Sequence, residues 1–279
     1  MPSSLRRLGC ALEAFSICMV VAFASTASAT PASADNVCTI IADASTGAIL
    51  KQEGECDRRV PPASTFKIPI SLMGYDAGFL KDEKTPLLPF LEGYPDWIES
   101  WRTDTDPAAW MKNSVVWYSQ QVTQALGKER FQSYVTAFGY GNADVSGDAG
   151  KDNGLTRSWL SSSLRISPLE QVDFLTKIVG RKLPVSAHAY EMTEAILTKY
   201  KLPNGWIVYG KTGAGFPVKA DGTADRQHPM GWYVGWVRKG DRTLVFARLK
   251  ENSKPQKMSP GLGVRDQLLG ELPAMLDML

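Results

Sequence analysis

The stretch GWYVGWVRKGDRTLVFARLKE, residues 231–251, decides the fold. β-Branched and aromatic residues dominate it on both sides of Lys239–Arg242, where a glycine and an aspartate are typical of a tight turn. The pattern predicts an antiparallel hairpin. A neighbouring strand is predicted just before it, at residues 206–212, because WIVYGKT has the same composition.

The opposite end of the chain also predicts strands. CTIIAD at residues 38–43 and AILKQEGEC at residues 48–56 are strand-like and flank the turn residues Ser45–Gly47. Between the two ends, the spacing of apolar residues predicts helices, one of which begins with the capping box Ser167–Glu170. The predicted helices lie at residues 66–80, 114–126, 130–138, 167–179 and 265–279, the last of them interrupted at Pro273.

This order of elements predicts an α/β fold of the α+β type. We expect one antiparallel sheet, built from the N- and C-terminal segments and flanked by helices, with an all-helical lobe inserted between them. The sheet lobe is assigned to residues 30–60 and 200–279 and the helical lobe to residues 61–199, which together form a single domain at 30–279. A functional site is expected in the cleft between the two lobes.

The composition excludes several classes of function. The 279 residues are 44% hydrophobic and 22% charged, with a net charge of +2, which is the balance of a globular protein. No long basic run occurs, so we expect no nucleic-acid partner. No spacing of metal-ligating residues is present, so no metal is expected. His188 and His228 are expected at the surface, since the nearby sequence offers neither of them an orienting acid.

The N-terminal segment is typical of a secretory signal peptide. Arg6–Arg7 give it a basic start, residues 14–24 are apolar, and small residues follow. We therefore predict a signal peptide at residues 1–29, with cleavage after Ala29 or, at a second small-residue site, after Ala34. An uncleaved membrane anchor is the alternative. Removal of the segment would leave a secreted, periplasmic protein without membrane contact.

Two cysteines remain after the predicted signal peptide. Cys38 and Cys56 are placed almost symmetrically about the N-terminal hairpin, so their side chains can face each other. Because export leads to an oxidising compartment, a disulfide between them is predicted. Two unpaired thiols are the alternative.

Three short motifs carry candidate chemistry. PASTFKIPIS, residues 62–71, places Ser64 and Lys67 one helical turn apart, at a predicted helix start whose free N–H groups suit a developing oxyanion. A second serine opens the helical stretch at Ser114–Val116, and Lys211–Gly213 ends a strand at a sheet edge. Each motif alone is undemanding, because serines cap helices and lysines protect sheet edges. Their order along the chain is more specific.

The set of motifs resembles the class D, oxacillinase-type serine β-lactamases of the penicillin-recognising family, over essentially the whole mature chain. The matching segments are Ser64–Lys67, Ser114–Val116, Tyr140–Asn142, Trp159–Leu160, Lys211–Gly213 and Gly231–Trp236. The resemblance implies hydrolysis of the β-lactam ring of penicillins and related antibiotics, and with it antibiotic resistance.

The resemblance also implies roles for individual residues. Ser64 would be the nucleophile, Ser114 would relay a proton to the ring nitrogen, and Lys211 would complete the catalytic set. Lys67 would be the general base after carbon dioxide converts it to N6-carboxylysine, with Trp159 donating its indole N–H to the new charge. No cofactor is implied beyond carbon dioxide or bicarbonate. The residues implied to bind substrate are Val116, Trp159, Leu160, Thr212, Gly213, Ala214 and Arg265.

Physical chemistry agrees with the proposed base. A lysine at its ordinary pKa near 10.4 is a poor base at neutral pH, but desolvation lowers that pKa by several units. Phe66 and Trp159, among other apolar residues, are expected to line such a pocket around Lys67.

Three other functions share parts of this pattern. GWIVYGKT at residues 205–212 satisfies the P-loop expression, but its interior is strand-like and no helix follows. A β-lactam sensor that is acylated once, and a cell-wall transpeptidase or carboxypeptidase, share the fold and several of the motifs. A homodimer is left open, because the sequence carries no signal that specifies one.

Overall fold

The computed structural model describes residues 35–279. This part of the chain contains an antiparallel sheet of six strands. Its strands are β1 (Asn36–Asp43), β2 (Ile49–Glu53), β3 (Thr198–Lys201), β4 (Ile207–Gly215), β5 (Met230–Lys239) and β6 (Arg242–Glu251). Their spatial order is β2-β1-β6-β5-β4-β3. The predicted hairpin is confirmed, with Lys239 opposite Arg242 at the turn. N- and C-terminal strands meet where β1 pairs with β6.

Seven of the eight α-helices in this range lie between β2 and β3 in the chain. They are α1 (Lys67–Asp76), α2 (Pro107–Asn113), α3 (Val116–Leu126), α4 (Lys128–Phe138), α5 (Gly154–Arg157), α6 (Pro168–Val179) and α7 (Ala187–Ile196), and α8 (Pro260–Asp277) follows the sheet. The predicted capping box begins α6: Glu170 N donates to Ser167 Oγ at 3.2 Å, and Ser167 N donates to Glu170 Oε2 at 2.9 Å. The predicted α+β fold with an inserted helical region is confirmed.

The two faces of the sheet carry different helices. In β1, Ile40 and Ala42 belong to the apolar cluster shared with the inserted helices, whereas Ile41 belongs to the cluster under α8. This alternation follows from the two-residue period of a strand. The sheet is therefore covered on both faces, and α8 contributes a buried residue every fourth position. These are Val264, Leu268, Leu272 and Leu276.

The predicted interruption at Pro273 is wrong, because α8 continues through it to Asp277. Proline removes one backbone N–H and usually costs about 3 kcal/mol inside a helix. Here Leu272 and Leu276 are buried on either side of it. Burying a leucine side chain stabilises the fold by about 1.5–3 kcal/mol. Asn204 Nδ2 also donates to the Pro273 carbonyl oxygen at 3.1 Å. Tertiary packing therefore overrides the local preference of the sequence.

The predicted disulfide joins Cys38 to Cys56, with Cα atoms 5.3 Å apart. Cys38 lies in β1, and Cys56 lies three residues beyond the end of β2. Both side chains are buried. The bridge therefore holds the chain that leaves the edge strand against the body of the sheet.

Replacing both cysteines with alanine should lower the free energy of unfolding by about 3 kcal/mol, the chain-entropy value for a closed loop of this length. The melting temperature should fall by roughly 6–12 °C. Thermal unfolding followed by circular dichroism measures the change, and adding reductant to the parent protein should reproduce it. Two titratable thiols in the unreduced parent protein without residues 1–29 would contradict the bridge.

The N-terminal predictions fall outside the described part of the chain. The signal peptide at residues 1–29 and the two cleavage points, after Ala29 and Ala34, all precede residue 35. Within residues 35–279, no helix combines the length and the apolar character that crossing a membrane requires.

Candidate active site

Ser64 and Lys67 lie side by side where a short 3-10 turn, Ala63–Phe66, enters α1. Lys67 Nζ donates to Ser64 Oγ at 3.3 Å, so the predicted pairing of hydroxyl and amine is confirmed. Pro69 falls within the first turn of α1, where its missing N–H has no intrahelical acceptor to lose. Ala63 has a φ of 50°, a strained conformation for a residue with a Cβ. Its N–H donates to the Trp159 carbonyl oxygen at 3.1 Å, which holds the turn.

Aromatic rings surround the start of α1. The ring of Phe66 lies 5.1 Å from that of Tyr140, 5.8 Å from that of Trp159 and 6.0 Å from that of Phe131, measured between centroids. All four rings are buried. Lys67, which follows Phe66 in the chain, is fully buried as well.

The Lys67 amine is fully buried and uncompensated. Burial lowers the pKa of Lys67 well below its usual range, and the positive charge of Lys211 lowers it further. Within residues 35–279 no carboxylate forms an ion pair with Lys67. The indole Nε1 of Trp159 is buried as well and finds no hydrogen-bond acceptor in the same part of the chain. An amine with a depressed pKa and an unused N–H donor are therefore both buried around Phe66, whose ring lies 5.8 Å from that of Trp159.

Ser114 and Lys211 form the second pair of the site. Ser114 lies between α2 and α3 with a left-handed backbone, at φ 59° and ψ 36°. Lys211 Nζ donates to Ser114 Oγ at 3.0 Å and to the Thr212 carbonyl oxygen at 3.0 Å. Burial, followed by the charge of Arg265, lowers the pKa of Lys211 to about 7. Lys211 is therefore able to change its charge near neutral pH.

Strand β4 presents Lys211–Gly213 at a sheet edge, as predicted. The first residue of its neighbour β3, Thr198, lies opposite Gly210, so no strand of residues 35–279 pairs with β4 on that side from Lys211 onward. The strand does not end at Gly213 but continues to Gly215. A Cβ on Gly213 would lie 2.9 Å from the Pro62 carbonyl oxygen, so only glycine lets β4 approach the turn that carries Ser64.

A hydrogen-bond network behind the site positions Ser64. Gln171 Nε2 donates to Thr65 Oγ1 at 3.0 Å and to Tyr140 Oη at 3.2 Å, and Thr65 Oγ1 donates to the Pro62 carbonyl oxygen at 2.7 Å. Asn142 accepts from Arg165 N at 2.9 Å. The Tyr140–Asn142 motif is therefore structural in its contacts. Sequence analysis missed Gln171; its position on the buried face of α6 was the available signal.

Arg265 lies where the sequence match placed it, beside Lys211 and Thr212. The three residues line one cavity of about 260 Å³. Arg265 Nη1 donates to Tyr200 Oη at 3.2 Å, and its guanidinium pairs with Asp266 at 2.7 Å. The cavity is lined by Lys112, Lys211 and Arg265 and by no acidic side chain, which suits a carboxylate.

The remaining predicted contact residues differ in exposure. Val116 is 2% exposed and Trp159 is fully buried, so both lie beneath the surface of the site and support its wall. Leu160 is partly exposed and lines a second cavity, of about 480 Å³, together with Ala63 and Ala214. The two cavities lie at opposite ends of the Lys211–Ala214 edge.

Both histidines are exposed, as predicted. The expectation that neither has an acid nearby is wrong for His228, because its Nδ1 lies 2.7 Å from Asp225 Oδ2. Neither ring hydrogen-bonds to Ser64 or Lys67. In residues 35–279 no three histidine, cysteine or acidic side chains cluster as metal ligands would. The P-loop expression at 205–212 lies largely in β4, which is followed by β5 and not by a helix.

Comparison with known proteins gives one consistent result. The family model for the penicillin binding protein transpeptidase domain matches residues 37–273. β-Lactamase OXA-9 of Klebsiella pneumoniae is 48% identical over 86% of this chain and 88% of its own, and β-lactamase OXA-1 of Escherichia coli is 42% identical over 77% and 76%. The crystal structure of the class D β-lactamase OXA-427 superposes with a TM-score of 0.83 at 48% identity, covering 87% of this chain and 99% of the other.

The fold and the paired serines and lysines define a serine enzyme with a transpeptidase-type, penicillin-binding domain. Within that class the chain belongs to the class D β-lactamases. It is therefore a hydrolase of cyclic amides, and β-lactam hydrolysis and the resistance that follows from it are its activity.

Proposed function

We propose that the chain opens the β-lactam ring through an acyl-enzyme on Ser64, with Lys67 as general base in its N6-carboxylysine form. The observation that carries this proposal is the contact of 3.3 Å between the fully buried Lys67, through Nζ, and Ser64 Oγ. No histidine competes for the role, since neither His188 nor His228 contacts Ser64.

The pocket residues fit a carbamylated lysine. A neutral amine adds to the carbon of carbon dioxide and releases one proton, and the depressed pKa of Lys67 supplies the neutral form. The product would supply a carboxylate-like base. Burying that new charge requires a donor, and the unpartnered Nε1–H of Trp159 can provide one.

Acylation then uses the two pairs in turn. Ser64 passes its proton to the Lys67 side chain, and Oγ attacks the lactam carbonyl carbon. The backbone N–H groups of Ser64 and Ala214 stabilise the oxyanion. As the ring C–N bond breaks, the Ser114 hydroxyl gives its proton to the nitrogen. Lys211 lies 3.0 Å from Ser114 Oγ and can replace that proton.

Substrate recognition is assigned to the edge of β4 and the walls around it. Lys211, Thr212 and Arg265 share a cavity and would bind the carboxylate of the substrate. Gly213 and Ala214 would contribute backbone along the strand edge. Val116, Trp159 and Leu160 would supply the apolar wall.

A single experiment tests the proposed function against its rivals. The purified chain without residues 1–29 is mixed with a chromogenic cephalosporin, and Ser64→Ala serves as the matched control. We expect sustained turnover by the parent chain and none by the variant. One stoichiometric burst without turnover would indicate a β-lactam sensor or a slow transpeptidase, and turnover by Ser64→Ala would exclude Ser64 as the nucleophile.

The low pKa of Lys211 predicts a pH dependence. Since that pKa is about 7, kcat/KM should fall as the pH rises above 7 and Lys211 loses the charge that binds the carboxylate. Arg265→Ala removes a repelling charge, so the alkaline fall should move to higher pH, while Arg265→Lys should leave it in place. The profile is measured between roughly pH 5.5 and 9. An alkaline fall that Arg265→Ala does not move would contradict the assignment to Lys211.

We also propose that residues 1–29 are a signal peptide and that 30–279 form the single catalytic domain, exported to the periplasm. The disulfide between Cys38 and Cys56 supports this, because such bridges persist in oxidising compartments. Cell fractionation and the N-terminal sequence of the mature protein test both points. A homodimer stays a prediction, which light scattering of the purified chain would test.

A further inference from the structure

The second cavity, of about 480 Å³, opens directly beside Ser64. It begins at Ala63, the neighbour of Ser64, and at Ala214 on the edge of β4. The first cavity, of about 260 Å³ and lined by Lys211, Thr212 and Arg265, lies at the other end of that edge. In a penicillin, the ring carboxylate and the acylamino side chain project from opposite ends of the fused rings. A substrate bound by its carboxylate at Lys211 therefore directs its acyl side chain into the second cavity.

The charged residues of this cavity are two arginines, Arg157 and Arg226, and none of its lining residues is acidic. The guanidinium of Arg226 lies 5.5 Å from the ring centroid of Phe216 and forms no ion pair with any carboxylate of residues 35–279. Arg157 Nε lies 3.4 Å from Asp148 Oδ2, and the two side chains are 40% and 39% exposed. One guanidinium is thus uncompensated and the other is paired only loosely.

The rest of the cavity wall is largely apolar. Trp97, Leu160 and Phe216 contribute apolar surface. Phe216 N donates to Ser161 Oγ at 3.0 Å, which fixes the start of the loop that also carries Arg226. The hydroxyl of Ser161 hydrogen-bonds to no acceptor within residues 35–279 and can donate to a ligand. An aromatic ring with an acidic substituent matches this combination of surfaces.

We propose that this cavity selects β-lactams whose acyl side chain carries a carboxylate next to an aromatic ring, through Arg226 and Arg157. The inference rests on the proposed function, since the cavity receives an acyl side chain only if Ser64 is acylated. A guanidinium attracts a carboxylate and repels an ammonium group at the same position. Side chains with a carboxylate should therefore be favoured and those with an ammonium group disfavoured. At a partly exposed site each charge pair changes affinity by up to about fivefold.

Three penicillins test the preference, because they share the phenyl ring and the fused rings and differ only at the side-chain α-carbon. Benzylpenicillin carries hydrogen there, carbenicillin a carboxylate and ampicillin an ammonium group. The measured quantity is kcat/KM for carbenicillin and for ampicillin, each divided by the value for benzylpenicillin with the same protein. Taking ratios within each variant cancels differences in intrinsic reactivity and in folded fraction.

Arg226→Gln should lower the carbenicillin ratio by up to about fivefold and raise the ampicillin ratio. The double variant with Arg157→Gln should lower the carbenicillin ratio further. Asp148→Asn removes the charge that competes for Arg157, so it should raise the carbenicillin ratio. Arg130→Gln, at an exposed arginine of α4 outside the cavity, is the matched control and should change neither ratio. Higher salt should weaken the effect of Arg226.

The outcomes separate this proposal from the proposed function. If benzylpenicillin is hydrolysed and the double variant leaves both ratios unchanged, the preference is wrong while the role of Ser64 stands. If the parent chain is not acylated by any of the three penicillins and hydrolyses none of them, the proposed function itself fails. A carbenicillin ratio that rises in Arg226→Gln would also overturn the preference, because it requires repulsion where attraction is proposed.

Discussion

Lys67→Met should lower kcat for β-lactam hydrolysis by roughly 10³-fold, within the range that general base catalysis contributes. Lys67 is the side chain that hydrogen-bonds to Ser64 Oγ, and Ser64 has no other base within residues 35–279 that hydrogen-bonds to it. Methionine keeps most of the side-chain volume, so the pocket stays filled. Any acyl-enzyme that does form should persist, because the water that attacks it would lack a base. Stopped-flow kinetics and intact-protein mass spectrometry measure the two effects.

The stability of the same variant distinguishes lost chemistry from lost folding. Burial holds the pKa of Lys67 well below its unfolded value, so burying this lysine, whether it stays charged or loses its proton, costs folding free energy at neutral pH. That cost is present below the unfolded pKa of about 10.4 and disappears above it. In buffer freed of bicarbonate, Lys67→Met should therefore melt at or above the temperature of the parent at neutral pH. Normal turnover by a folded Lys67→Met protein would contradict the assignment of Lys67 as base.

Trp159→Phe should make activity depend strongly on added bicarbonate. The indole Nε1–H is buried without an acceptor among residues 35–279, and a charge-assisted hydrogen bond contributes about 1.5–3 kcal/mol. Its removal should weaken carbamylation of Lys67 by roughly 10- to 100-fold, the same free energy expressed as an equilibrium constant. Without bicarbonate the variant should lose most of its kcat, and saturating bicarbonate should restore it. Steady-state rates across a bicarbonate series measure the shift.

The phenylalanine replacement keeps aromatic packing against Phe66, which the structure places 5.8 Å away, centroid to centroid. Trp236→Phe is the matched control, because its indole Nε1 is also buried without a partner but lies on β5 against Tyr209. This control should show the bicarbonate dependence of the parent. Equal bicarbonate dependence of Trp159→Phe and the parent would show that Trp159 does not stabilise the carbamate on Lys67.

Much of the fold follows from local patterns that the tertiary structure does not oppose. The hairpin at 231–251 combines strand-forming residues with a turn, and the capping box at Ser167 satisfies N–H groups within one helical turn. The Ser64 and Lys67 pairing is equally local, since three residues of a helical turn bring the groups together. Such features depend on neighbours in sequence, and the sequence contains them.

The features that were missed depend on distant contacts. Pro273 stays helical because α8 is packed on the sheet, which no local pattern reports. Strand β3, Thr198–Lys201, has only four residues and exists because β4 pairs with it. Arg157 and Arg226 stand far apart in the sequence and line one cavity only in the folded chain. The buried Nε1 of Trp159 is likewise visible only when its surroundings are known.

The most direct test of the central claim is a ¹³C NMR spectrum of the purified protein equilibrated with ¹³C-labelled bicarbonate. A carbamate on Lys67 predicts one protein-bound carbonyl resonance, which disappears in Lys67→Met and weakens in Trp159→Phe. Its intensity should rise and fall with kcat as bicarbonate is added and removed. Full catalytic activity in a protein that shows no such resonance would contradict Lys67 as a carbamylated base.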